Sequence, residues 1–183
     1  MQINADIYIR PSPTLHSLQK MLTIRTATSE DFEKIWPIFH EIVSAGETYT
    51  YPRDTSKEQG FHLWMSLPRQ AFVAEEDGEI LGTYFIKTNQ SGGGDHVCNC
   101  GYMVSSKARG RGLASLMCAH SQNIAKELGY LAMQFNFVVS TNEGAVRLWT
   151  QLGFHTVGRL TKAFRHPVHG LVDALIMYRW LTD

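Results

Sequence analysis

Cysteine is scarce in this sequence: only Cys98, Cys100 and Cys118 occur in 183 residues. An odd count without framework spacing argues against a disulfide-stapled secreted chain and for a reduced, cytoplasmic one. Cys98 and Cys100 form C-x-C on one strand face, not C-x-x-C, so they read as small core residues. Long apolar runs are missing too, and none approaches the ~20 residues needed to span a bilayer. Neither sign of charge is in excess, with 17 basic and 17 acidic residues. That balance removes the general attraction to nucleic acid or anionic membrane, while a local basic patch can still hold a phosphorylated small molecule. The expected partner is therefore small. His155, His166 and His169 share no metal-ligand spacing with a carboxylate, so no metal site is expected.

What is present reads as one globular domain. Residues 1–21 break up short apolar stretches with Asp6, Arg10, Pro11 and Pro13; they lack the apolar stretch of a signal peptide and are expected to be an N-terminal extension. Residues 22–183 then carry a continuous order of elements without repeats or linkers. Leu22 to Ala27 alternates at period two and meets Ser29-Glu-Asp31, a helix start; Phe32, Ile35, Trp36, Phe39 and Val43 follow at helical spacing until Gly46. Glu47 to Asp54 is an aromatic, proline-bearing loop, and Thr55 to Leu67 forms a second helix. Gln70–Glu75 and Ile80–Thr88 flank an Asp77-Gly78 pair, the mark of a hairpin. A strand is expected from His96 to Val104, a helix from Gly110 to Leu128 with Leu113, Leu116, Met117 and Ile124 on its apolar stripe, and a strand from Tyr130 to Val139. A short helix from Asn142 to Leu152 and closing strands around 154–160 and 171–180 complete the order.

The most informative segment is Val104-Ser-Ser-Lys-Ala-Arg-Gly-Arg-Gly-Leu-Ala-Ser115, in which a strand ends, a glycine-bearing turn intervenes and a helix begins. The first turn of a helix presents unpaired N–H groups and the positive end of the helix dipole, so Arg109, Gly110, Arg111, Gly112, Leu113 and Ala114 can hold a pyrophosphate. Gly110 and Gly112 permit dihedrals closed to other residues and leave room for phosphate oxygens. Arg109, Arg111 and Lys107 add charge. No G-x-x-x-x-G-K-[ST] and no G-x-G-x-x-G is present, which excludes the two commonest phosphate loops.

With the downstream Asn142-Glu-Gly-Ala-Val-Arg-Leu-Trp-Thr-Gln-Leu-Gly-Phe154, this segment resembles the two cofactor motifs of the GNAT superfamily of acetyl-CoA-dependent N-acetyltransferases. The resemblance covers nearly all of the chain from Leu22 onward. It implies an α/β fold whose central, mostly antiparallel sheet is splayed between its fourth and fifth strands, with helices on both faces. It also implies acetyl-CoA as co-substrate, with backbone groups of Val104 holding the pantetheine arm, Met103 among the cofactor-binding residues, and Arg109 to Ala114 holding the pyrophosphate. Asn142 stands where the family places an asparagine that bonds the pantetheine arm; the residue alone reads equally as a helix N-cap. Trp149 stands where relatives carry a tyrosine that protonates the leaving thiolate, and an indole N–H is too weak an acid for that. Relatives are often homodimers.

Val97 to Val104 and Met133 to Val139 further resemble strands of the fungal proline-analogue acetyltransferases, which acetylate azetidine-2-carboxylate. By that resemblance Asn99 and Asn136 contact the acceptor's amine side and carboxylate. Two asparagines in apolar strands need partners if buried, and satisfying backbone groups at a bulge is the alternative use for them. Amine attack on a thioester also requires a proton acceptor. Glu47, Glu75 and His96 are the candidates, and Tyr49 and Tyr51 are expected in the acceptor-side wall. Cys118 lies inside a helix, which argues for direct transfer without an acyl-enzyme. The sequence reading is thus an N-acetyltransferase for a small amino-acid-like amine, with a protein N-terminal or lysine acetyltransferase, or an acyl-CoA sensor, as alternatives.

Overall fold

Elements form where the apolar period and the punctuation agree. In the structure, a computed structural model that describes residues 22–182, strand β1 (Thr23–Thr26) leads into a turn of 3-10 helix and then helix α1 (Phe32–Ala45). The expected N-terminal extension lies outside the described residues. Asp31 and Thr28 form a reciprocal capping box at the helix entry, and Gly46 ends α1 with φ +70°. Phe32, Ile35, Ile38, Phe39 and Val43 all point inward, each contributing about 1.5–3 kcal/mol when fully buried. Helix α2 (Lys57–Phe61) continues as a π-helical turn that buries Trp64, whose indole N–H donates to Thr83 Oγ1 at 3.0 Å.

Strands β2 (Gln70–Glu76) and β3 (Glu79–Thr88) pair across Asp77-Gly78, both at positive φ as a primed hairpin turn requires. Next come β4 (Val97–Val104), α3 (Leu113–Glu127), β5 (Ala132–Val139), α4 (Glu143–Gln151), β6 (His155–His166) and β7 (Gly170–Trp180). They build a seven-stranded sheet in the order β1-β2-β3-β4-β5-β7-β6, antiparallel throughout except for the β4–β5 pair. Side chains alternate between two cores. One face, with Tyr84, Cys98, Cys100 and Phe135, packs under α3 and α4, and the other, with Val73, Phe85 and Met103, packs under α1 and the Trp64 segment.

Two boundaries and the facing of one residue differ from the sequence expectation. Helix α3 starts at Leu113, because Gly110 and Gly112 both sit at φ +76° and cannot join a right-handed helix. Leu116, on the expected apolar stripe, is half exposed, because Leu113, Met117 and Cys118 carry the packed face. Strand β6 runs on to His166 through an irregularity at Lys162, φ +51°, and buries Phe164. All three cysteines are free and buried. Among the described residues no helix is long and apolar enough to cross a membrane.

Candidate active site

The β4–β5 ladder lasts two rungs, Val97↔Ala132 and Cys98↔Met133, and then the strands part. At the fork Asn99 Nδ2 donates to the Gln134 carbonyl at 2.9 Å, replacing the next backbone rung with a side chain. Because Gln134 presents an oxygen, the Asn99 amide orientation is fixed and its Oδ1 is the group left over. Beyond the fork the edge of β4 is open. Ser105 and Val97 bond to β3 and its extension through Leu81 and Asn89, so the odd-numbered residues of β4 spend their main-chain groups on β3. Cys100, Tyr102 and Val104 therefore turn theirs toward the gap. Met103, expected among the cofactor-binding residues, pairs with Thr83 across the β3–β4 ladder, is buried and lines the cleft.

The gap opens into a cleft of about 830 Å³. Its mouth lies at the end of β4, where the segment from Ser105 to Gly112 wraps into α3; its apex lies at Asn99, five residues or about 17 Å back along the strand. A Cβ built on Gly110 or Gly112 meets nothing within 4 Å, so these glycines face open space and are required by φ. The first-turn amides of α3, from Leu113 and Ala114, have no acceptor within the helix. Of the basic residues expected to add charge, Arg109 lines the cleft and lies 3.5 Å from Glu41. Arg111 is turned away onto Glu76 at 2.7 Å and Lys107 onto Glu79 at 2.8 Å, because surface carboxylates of the β2–β3 hairpin lie within their reach.

Asn142 is the N-cap of α4: its Oδ1 accepts from the Ala145 amide at 3.2 Å, and the residue lines the cleft mouth. Trp149 also lines the cleft, packed against Tyr102 and Phe135 at 5.1 Å. Asn136 lines the cleft and is exposed, where β5 breaks register between Phe135 and Val138. It accepts from Gln134 Nε2 and donates to Asn89 Oδ1 at 2.7 Å.

On the α1 side the Glu47–Tyr51 loop forms a wall. Tyr49 and Tyr51 stack at 5.5 Å, and Tyr49 donates its hydroxyl to the Tyr102 carbonyl at 2.8 Å. Burial pushes both phenols up, so they stay protonated and act as donors. Of the three proton-acceptor candidates only Glu47 lines the cleft. Glu75 is taken by Arg25, far along β2, and His96 packs on Trp180. Burial likewise raises the Cys100 and Cys118 thiols, which keeps them from being thiolate nucleophiles.

Glu41, Lys87 and His166 also line the cleft, and sequence reasoning passed them over. His166 is nearly buried, and its Nδ1 accepts from the Val168 and His169 amides, which places the ring proton on Nε2. Among the described residues no group of three or more His, Cys, Asp or Glu is placed to hold a metal.

The sheet thus parts at its one parallel pair, with a glycine-bearing helix start beside the mouth of the gap. Residues 32–154 match the acetyltransferase (GNAT) family, and the chain belongs to it. A GCN5-related N-acetyltransferase from Kribbella flavida is 43% identical, with a TM-score of 0.83 over 87% of this chain and 97% of that one. N-acetyltransferase aca1 of Schizosaccharomyces pombe is 36% identical over 98 residues, which are 53% of this chain and 47% of the relative. The match thus spans about half of that curated relative. The protein yncA from Salmonella typhimurium, solved with acetyl-CoA, shares the fold at 20% identity, TM-score 0.76, over 89% of this chain and 95% of that one.

Proposed function

We propose that this chain moves an acetyl group from acetyl-CoA directly onto the amine of a small amino-acid-like acceptor. The observation that carries the reading is the open edge of β4, where the main-chain groups of Cys100 and Val104 and the Tyr102 amide run from the glycine-bearing helix start to a polar apex. The fit to acetyl-CoA is by donor set. An extended chain of amides finds a strand edge, and two phosphates find the amides of Gly110 and of Gly112 to Ala114. Acetyl-CoA supplies the acyl group on a thioester. This chain's residues orient and deprotonate. Asn99 Oδ1 accepts a hydrogen from the incoming amine, Glu47 takes its proton directly or through water, and the Tyr49–Tyr51 stack keeps bulk water from the apex. The raised thiols support transfer without a covalent acyl-enzyme. The resemblance of the Asn99 and Asn136 strands to those of the proline-analogue enzymes supports an amino-acid-like acceptor, and the aca1 match supports N-acetyl transfer.

The test is thiol release from acetyl-CoA with a panel of azetidine-2-carboxylate, proline analogues, primary amines and peptides bearing a free N-terminus or lysine. Turnover confined to the small amino acids is the expected result. Turnover of the peptides alone would replace the acceptor, and acetyl-CoA binding without thiol release for any amine would make the chain a sensor.

A further inference from the structure

The cleft is lined by four ionised side chains, Glu41, Glu47, Lys87 and Arg109. Glu41 and Arg109 face each other near the mouth, the carboxylate also accepting from Ser106 Oγ. Glu47 and Lys87 are left, and among the described residues neither has an ion-pair partner. Lys87 Nζ rests 5.6 Å over the Phe85 ring, a contact that holds a cation without neutralising it. An ammonium half-buried in a cleft and unpaired is costly to keep unless something anionic joins it.

Its position says what that anion accompanies. Lys87 is the register partner of Asn99 across the β3–β4 ladder, so the two side chains leave the same face of the sheet about 5 Å apart at Cβ. Asn99 Oδ1 is an acceptor for an N–H, and Lys87 is a cation for a carboxylate. Side by side they match a molecule that carries its amine and its carboxylate on neighbouring atoms. With Glu47 across the cleft, the uncompensated charges are one negative and one positive, the complement of a zwitterion. A peptide N-terminus brings a neutral amide where Lys87 waits, and a polyamine or lysine side chain brings a repelled cation.

We propose that Lys87 is the carboxylate anchor of the acceptor site, so that the acceptor is an α-amino or α-imino acid with a free carboxylate. This deepens the reading above and rests on it. The experiment compares matched acids and carboxamides, azetidine-2-carboxylate and proline against their amides, at saturating acetyl-CoA in the full chain. The folded state of each variant is checked by its thermal midpoint. The wild type should prefer the acids. Lys87→Met should cut kcat/KM for the acids about ten- to a hundredfold, mostly through KM, the range for losing a hydrogen bond to a charged group. The acid-to-amide ratio should fall with it, while Lys87→Arg retains most of that ratio. Comparing each ratio between protein variants cancels the difference in amine basicity between acid and amide. A ratio unchanged in folded Lys87→Met, or a wild type indifferent to the carboxylate, overturns the anchor while leaving amine acetylation intact. No thiol release with any amine overturns both readings.

Discussion

Beside the mouth of the cleft, which Arg109 lines, the groups on offer are main-chain amides at the start of α3; at the apex they are side chains from three strands, Lys87, Asn99 and Asn136. The mouth depends on conformation. Its two glycines at φ +76° set the amide directions, and two of its three basic side chains point elsewhere. The apex depends on identity, because each side chain offers one specific atom. A ligand common to many proteins suits a backbone site, and a ligand particular to one suits a side-chain site. Substitutions at the two ends should therefore fail differently.

The largest effect should come from Gly112→Glu. Any side chain at φ +76° costs on the order of 1–2 kcal/mol, and Gly112→Ala measures that cost alone, since the added Cβ meets open space. Glutamate adds a negative charge beside the expected diphosphate. Like charges about 4 Å apart near a surface repel by roughly 4 kcal/mol, so even half of that weakens acetyl-CoA by more than about tenfold beyond the alanine variant. Calorimetry on both variants checks it; equal affinity in the two would break the assignment of the mouth.

Asn99→Ala and Asn136→Ala sharpen the other end, and they should differ from each other. Asn99 is nearly buried and satisfies the Gln134 carbonyl, so its loss leaves that carbonyl unpaired and costs about 1–3 kcal/mol of stability. Asn136 is exposed, and its removal should cost no more than about 0.5 kcal/mol. Both should lower kcat/KM for the amine about tenfold or more with acetyl-CoA affinity nearly unchanged. Denaturant midpoints and steady-state rates separate the two quantities. Equal stability losses would mean that the fork is not held by the Asn99 side chain.

The same contrast explains what could be read in advance. The mouth is local: strand, glycines and helix start lie within twelve residues, and their order alone implied an anion site. The mostly antiparallel sheet and its splay came from the family resemblance, and the strands themselves from period-two patterning. The apex is assembled by pairing. Lys87 stands beside Asn99 only through the β3–β4 register, and His166 enters the cleft only because β6 continues past Leu160 with a register shift. Neither residue has a local signal, since a lysine near a strand end and a histidine near a turn are ordinary. Glu75 and His96 looked eligible for the same reason in reverse: their chemistry suited the task, and the fold sends Glu75 to Arg25 and His96 to Trp180.

The smallest effect should fall on neither end. Arg25 bridges Asp31 and Glu75, with its guanidinium on both Asp31 oxygens at 2.7 and 2.9 Å, tying β1 and the α1 entry to β2. The Arg25 side-chain hydrogen bond, followed by the Thr28 amide, lowers the Asp31 pKa from 3.8 to about 2. A carboxyl held below its unfolded value stabilises the fold fully above about pH 4, and that contribution is lost as pH falls from there toward 2. Arg25 is partly exposed, so solvent screening reduces the contribution to about 1 kcal/mol. Asp31→Asn should therefore lower stability by about that amount at neutral pH, and the gap to wild type should close as both are taken toward pH 2. Because the pair sits outside the cleft, kcat/KM for the amine and the affinity for acetyl-CoA should both stay within about twofold of wild type, as expected for independent, distant sites. Denaturant unfolding of the two proteins between pH 2 and 7 reads the first statement and steady-state kinetics at neutral pH the second. A gap that widens on acidification would reverse the sign of the linkage and detach Arg25 from Asp31.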